Sequence, residues 1–218
     1  TSSDGTIFIG STKGLYSMSV KGRNFRAPRI VDPVTSLAWH DQLQLLTVGT
    51  EAKFYTIDER NRIERFQWTN AVVEMGPTAQ VFIDKHDGKN TSQLFLGNPI
   101  CINTYDTTTK VYGRMGGIID MFNDIDGVGI PYGHISIMTN QGNDLWIGTT
   151  KGAARFDTIT QTWAYYHSVR WIIGSNVTSI VTVPSSSNIY HAWIATEQGL
   201  SKVTIDGTWT LERKAEHF

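Results

Sequence analysis

LWIGTTKGAARF, running from Leu145 to Phe156, is a phrase this chain writes five times. The other copies are IFIGSTKGLYSM from Ile7, LTVGTEAKFYTI from Leu46, LFLGNPICINTY from Leu94 and AWIATEQGLSKV from Ala192. They align without gaps on a small residue, Gly10, Gly49, Gly97, Gly148 or Ala195, at spacings of 39, 48, 51 and 47 residues. One place before it stands Ile9, Val48, Leu96, Ile147 or Ile194, and two places before it Phe8, Thr47, Phe95, Trp146 or Trp193. Five places after it comes Leu15, Phe54, Ile102, Ala153 or Leu200, and eight places after it Met18, Ile57, Tyr105, Phe156 or Val203. Thr47 is the one polar residue in these columns. A repeat of roughly 40–50 residues marks a propeller, solenoid or array, because one such unit cannot bury its apolar faces alone.

Each phrase reads as two short strands around a tight turn. The first strand is β-branched and aromatic, and its small residue lets a neighbour approach closely. Gly14, Gly152 and Gly199 stand in the turn, where a positive φ is cheap for glycine. Further strands are expected upstream, at Val34 to Leu37, Ala79 to Phe82, Ile135 to Met138 and Val177 to Ile180. Others are expected downstream, at Phe25 to Ile30, Ile63 to Trp68, Val111 to Arg114, Thr162 to Tyr166 and Thr208 to Leu211. Four strands per unit give an all-β chain of four-stranded antiparallel sheets. Helical periodicity is confined to the tail, LERKAEHF, which is too short to be stable alone.

The fourth copy with its continuation, LWIGTTKGAARFDTITQTWAYYH, resembles the repeat of the two-component regulator propeller family. The matching elements are Trp146-Ile147-Gly148-Thr149, the turn glycine Gly152, the strand end Phe156-Asp157 and Trp163. Tyr55 to Asp58 and Tyr105-Asp106 repeat the strand end. The resemblance implies a β-propeller, and the five copies make it five-bladed over residues 1–218, with blades at about 1–33, 34–75, 76–130, 131–175 and 176–212 and a helix-like tail at 212–218. It implies an extracellular setting and carries no catalytic residue. The first copy begins at Thr6 with only Thr1 to Gly5 before it, so the first blade lacks its inner strand. That leaves three outcomes. The ring closes on a three-stranded blade, a longer parent chain holds the strand, or another subunit donates it and filaments grow.

Composition excludes several classes. A net charge of −1 with scattered Lys and Arg gives no footprint for nucleic acid or an anionic membrane. No apolar run is long enough to span a bilayer as a helix. Cys101 is the single cysteine, so it forms no intrachain disulfide and reads as a small core residue. The chain opens on Thr1 instead of Met, which implies processing or trimming. Asn90-Thr-Ser and Asn176-Val-Thr are N-glycosylation acceptors, consistent with a secreted glycoprotein.

In a propeller the phrase turns and the connections between units share one face. That face would gather Lys13, Glu51, Asn98, Lys151 and Glu197 with Tyr132, His134, His167, Arg170 and Trp171. Arg170 and Trp171, beside Tyr165 and Tyr166, could stack on a sugar, or the aromatic rings could pack between blades. The candidate ligand-binding residues are Tyr132, His134, His167, Arg170, Trp171, Lys151 and Glu197. The long connection from Gly113 to Gly133 carries Asp120, Asp124 and Asp126, but Asn123 to Gly127 lacks the spacing and terminal Glu of a calcium loop. No cofactor or metal motif occurs, and no nucleophile elbow. The expected function is non-enzymatic binding of a saccharide, small molecule or protein. The alternatives are a subunit that self-assembles into filaments and, third, a polysaccharide-active enzyme.

Overall fold

The computed structural model describes residues 5–21, 26–51, 53–67, 79–84, 92–98, 101–109, 111–117, 133–186, 189–207 and 215–218. Among these every regular element is a strand. The first sheet has β1 (Thr6–Ser11), β2 (Gly14–Ser19) and β3 (Arg26–Ile30). The second has β4 (Val34–His40), β5 (Leu45–Thr50), β6 (Lys53–Ile57) and β7 (Ile63–Gln67). The third has β8 (Ala79–Asp84), β9 (Ser92–Gly97), β10 (Cys101–Asp106) and β11 (Tyr112–Gly117). The fourth has β12 (Ile135–Gln141), β13 (Asp144–Thr149), β14 (Gly152–Asp157) and β15 (Thr162–Tyr166). The fifth has β16 (Val177–Ser186), β17 (Ile189–Thr196), β18 (Gly199–Asp206) and β19 (Glu216–His217). Strands pair antiparallel in chain order throughout.

The tail corrects the sequence expectation. It is no helix where it is described: Glu216–His217 is a strand pairing with β18, with Ser201 opposite His217. The outer edge of β18 offers a row of unpaired backbone groups, and pairing there outweighs the helix propensity of a short segment. The expected strand from Thr208 to Leu211 lies outside the described residues. The third sheet's last strand begins at Tyr112 and runs to Gly117, beyond the expected Arg114.

Register explains the columns. The small residue sits opposite the residue five places on: Gly10 faces Leu15, Gly49 Phe54, Gly97 Ile102, Gly148 Ala153 and Ala195 Leu200. The first residue of each phrase faces the eight-on column, as in Leu145 against Phe156. The turns close as expected, with Gly14 at φ 116° and Gly152 at φ 140°.

The small column also sets how sheets stack. A Cβ on Gly10 would lie 2.5 Å from Val34 Cγ1, and one on Gly148 would lie 2.6 Å from Val177 Cγ1. A Cβ on Gly97 would collide with Met138 and come within 3.1 Å of Ile135 Cγ2. Each glycine is thus bare because the innermost strand of the following sheet rests on it. Four apolar clusters follow, one at each joint between successive sheets. Phe54, Leu94, Leu96 and Tyr105 fill the second joint, and Trp146, Tyr166, Val177 and Ile194 anchor the fourth. Among the described residues no strand of the fifth sheet packs broadly against the first.

Candidate binding face

The residue after the small column is always hydroxyl or amide, and it caps the phrase turn. Ser11 Oγ donates to Gly14 O at 3.1 Å and accepts from Lys13 N at 3.1 Å. Thr149 Oγ1 repeats this with Gly152 O at 2.9 Å and Lys151 N at 3.1 Å. Thr50 Oγ1 donates to Lys53 O at 3.2 Å, Asn98 Oδ1 accepts from Cys101 N at 2.8 Å, and Thr196 Oγ1 accepts from Gln198 N at 3.2 Å. Side-chain bonds of this kind fix a tight turn locally. The column was readable as Ser, Thr, Asn, Thr, Thr in the sequence, but its polarity gave no sign of where it points.

These stiff turns meet the connections at one end of the sheets, and most candidate residues gather around the fourth one. His134 is exposed and locked by its backbone to Thr150, with Thr150 N donating to His134 O at 3.1 Å and His134 N to Thr150 Oγ1 at 3.1 Å. Lys151 is exposed at the turn tip, and a Cβ on the adjoining Gly152 would lie 3.4 Å from His167 Cβ. The connection then turns at Ser168, whose carbonyl accepts from Trp171 N and Ile172 N, both at 3.0 Å. The Arg170 guanidinium lies 5.1 Å over the Trp171 ring. Trp171 in turn meets Tyr166 edge-on at 5.6 Å, and Tyr166 stacks on Trp146 at 5.0 Å. The indole is therefore half-buried, packed between sheets and capped by a cation at the surface. Glu197 belongs to the fifth sheet's turn, beside Gly174, whose added Cβ would lie 3.2 Å from Gln198 Cβ. Tyr132, Asn90, Asp120, Asp124 and Asp126 lie outside the described residues. Asn176 is exposed immediately before β16.

Two polar groups at this end escaped the sequence reading. Asp32, in the connection from the first to the second sheet, receives Lys53 Nζ at 3.1 and 3.2 Å and the Tyr55 hydroxyl. The Tyr55 hydrogen bond, then that of Lys53, holds the Asp32 carboxyl below its ordinary value. Burial, then the Asp32 bond, pushes Tyr55 up to about 12. The second group ties β19 to the Ser168–Ile173 connection. His217 Nε2 lies 2.7 Å from Val169 O, so that nitrogen carries the proton, and Nδ1 accepts from Ser201 Oγ at 3.0 Å. Ser201 Oγ also accepts from Ile173 N at 3.0 Å and is fully buried. A serine held this way has no open path to a substrate, so the Ser–His pair is an anchor.

At the opposite end of the fourth and fifth sheets, Tyr190 OH donates to Asp144 Oδ2 at 2.6 Å and accepts from Trp146 Nε1 at 2.9 Å. Arg155 Nη1 stands 3.6 Å from the same carboxylate oxygen. Burial, reinforced by Asp144, raises the Tyr190 pKa well above its ordinary value. Among the described residues no three His, Cys, Asp or Glu side chains come together in a way that would hold a metal ion. No described helix is long and apolar enough to cross a membrane.

No family model matches this chain, and no curated protein matches it either. Solved structures do. The extracellular domain of a hybrid two-component system protein from B. thetaiotaomicron superposes with a TM-score of 0.64 at 20% identity, over 100% of this chain and 27% of that one. The Pan2 WD40 domain of Neurospora crassa gives 0.63 at 10% identity, over 97% and 63%. PorZ, a bacterial surface component of the type-IX secretion system of Porphyromonas gingivalis, gives 0.57 at 12%, over 98% and 24%. The likeness shows the fold, that of a β-propeller. The chain spans 27% of the first of these structures' length.

Proposed function

We propose that the chain is five blades of a β-propeller, at about 1–33, 34–75, 76–130, 131–175 and 176–212, with the first blade lacking its innermost strand. It acts outside the cell as a non-enzymatic recognition module. Its ligand, a saccharide, small molecule or protein, meets the face that carries the phrase turns and connections. The observation that carries this reading is the exposed His134, Lys151 and His167 at and beside the capped fourth turn, with exposed Arg170 over the half-buried Trp171 in the connection that follows. Charged and aromatic groups presented by short loops on a stiff scaffold suit recognition. The extracellular setting draws support from the structural neighbours that are an extracellular domain and a bacterial surface component. Exposure of Asn176 is consistent with a glycan there.

A thermal-shift screen with glycans, metabolites and secreted proteins tests the proposal. A ligand at a hundred times its Kd stabilises by about 2.7 kcal/mol, which raises Tm by roughly 5–10 °C for a domain of this size. One ligand class is expected to do so, and Trp171→Ala or Lys151→Ala is expected to abolish the shift. A shift that both variants retain would place the ligand elsewhere and overturn the reading.

A further inference from the structure

Several cations of this molecule carry their own counter-charge. Lys53 Nζ stands 3.1 Å from Asp32, Arg155 Nη1 3.6 Å from Asp144, Lys202 Nζ 3.0 Å from Glu216 and Arg62 Nη2 2.6 Å from Asp58. Lys151 and Arg170 do not. Both are exposed, and neither side chain has an ion pair or a hydrogen bond with a described residue. Glu197, the acid of the adjoining fifth turn, is exposed as well and pairs with neither.

The two cations stand among further donors. His134 is tied to Thr150 by two bonds of 3.1 Å, and a Cβ on Gly133 would lie 3.1 Å from Lys151 Cγ. Across the turn a Cβ on Gly152 would lie 3.4 Å from His167 Cβ. The turn that carries Lys151 is thus flanked by His134 on one side and His167 on the other. Both imidazoles are exposed, neither is bonded to a described residue, and each offers a ring N–H in any tautomer.

Arg170 follows in the tight turn closed by the Ser168 carbonyl, and its own carbonyl accepts from Ala215 N at 3.2 Å, which pins the backbone. Its guanidinium lies 5.1 Å over Trp171, and Tyr166 meets that indole edge-on at 5.6 Å. A sugar stacking on the same face of the indole would have to displace the cation. The ring instead holds the guanidinium while its N–H fork stays free. Arg and Lys only donate, so what this group lacks is an acceptor. A planar fork and a second cation fit an oxyanion, held in a bidentate manner at the fork.

We propose that the fourth turn and the connection after it bind the oxyanion of a small ligand, a carboxylate, sulfate or phosphate. Arg170 makes the bidentate contact, Lys151 supplies the second charge, and His134 and His167 donate from either side of the turn. The inference rests on the recognition reading above and names the chemistry of its ligand.

Calorimetric titration of the purified chain with glucose, glucuronate, glucose 6-sulfate and glucose 6-phosphate tests it, with sodium sulfate and inorganic phosphate alongside. At least one anion is expected to bind saturably and one-to-one, more weakly as sodium chloride rises, while glucose does not bind. Arg170→Gln should weaken binding at least about tenfold, the loss of a hydrogen bond between charged groups. Arg170→Lys should do the same, because it keeps the charge and loses the fork. Arg62→Gln changes net charge equally at the opposite end of the second sheet and should bind as the parent does. Binding of the sugar-linked anions alone would assign the site to a sugar acid or ester, and equal binding of the inorganic ions to the free oxyanion; either supports the proposal. No anion bound at millimolar concentration, equal binding of glucose, or full affinity in both Arg170 variants would overturn it. A neutral ligand from the thermal-shift screen that depends on Lys151 would overturn the oxyanion and leave the recognition reading standing. Silence in both the titration and the screen would sink the two together.

Discussion

One methyl group is enough to test how the sheets stack. Gly148→Ala would place its Cβ 2.6 Å from Val177 Cγ1 and 2.7 Å from Ile137 Cγ2, both stiff branched side chains. Overpacking of this kind costs about 1–3 kcal/mol, so calorimetry should show a lower Tm, partly restored by adding Val177→Ala. Tyr190→Phe should cost a similar amount, about 1–3 kcal/mol, because Trp146 Nε1 and Asp144 each lose a partner in a buried setting. The Asp32 group gives a pH signature. Tyr55 titrates higher folded, about 12, than the ordinary value of about 10. The stability it contributes is therefore complete below about pH 10 and lost as pH rises through about 12. Asp32 is depressed, so its share is present above the ordinary carboxylate range and lost as pH falls through its folded value. Urea unfolding of Tyr55→Phe should show a flatter decline between about pH 10 and 12 than the parent chain.

Among the elements, β19 has two residues and is held from both sides. Phe218 N donates to Leu200 O at 2.8 Å, Leu200 N donates to Phe218 O at 3.1 Å, and Lys202 pairs with Glu216 at 3.0 Å. His217 carries the link to Val169 and Ser201. His217→Ala should release both the strand and the connection. Amide exchange is expected to speed up at Leu200, Ala215, Ile172 and Ile173, while β13 and β14 keep their protection. Unchanged exchange at Ile172 and Ile173 would show that the connection holds itself. Glu, Lys and Ala in the tail favour a helix by local propensity, yet an unpaired edge next to them decides otherwise.

Across the molecule, stability resides in joints between neighbouring sheets, each with its own apolar cluster. Such arrays respond locally to damage. Trp146→Ala, at the fourth joint, should cost about 3–5 kcal/mol and raise exchange in β12 to β18, leaving β4 to β6 close to their original protection. Uniform loss of protection would instead indicate a single cooperative unit. The repeat made the strand pairs legible, because pairing within a phrase is local: the small residue faces the one five places on, and the first residue of the phrase faces the one eleven places on. It also made the small-residue column visible, and it raised the expectation that His134, Lys151, His167 and Arg170 share one face. What the sequence left open are contacts between sheets. Asp32 meets Tyr55 across 23 residues, Trp146 meets Tyr190 across 44, and Val169 meets His217 across 48. Those encounters depend on the stacking angle and on which edges stay free. No spacing within the chain encodes either one, so only the packed sheets decide them.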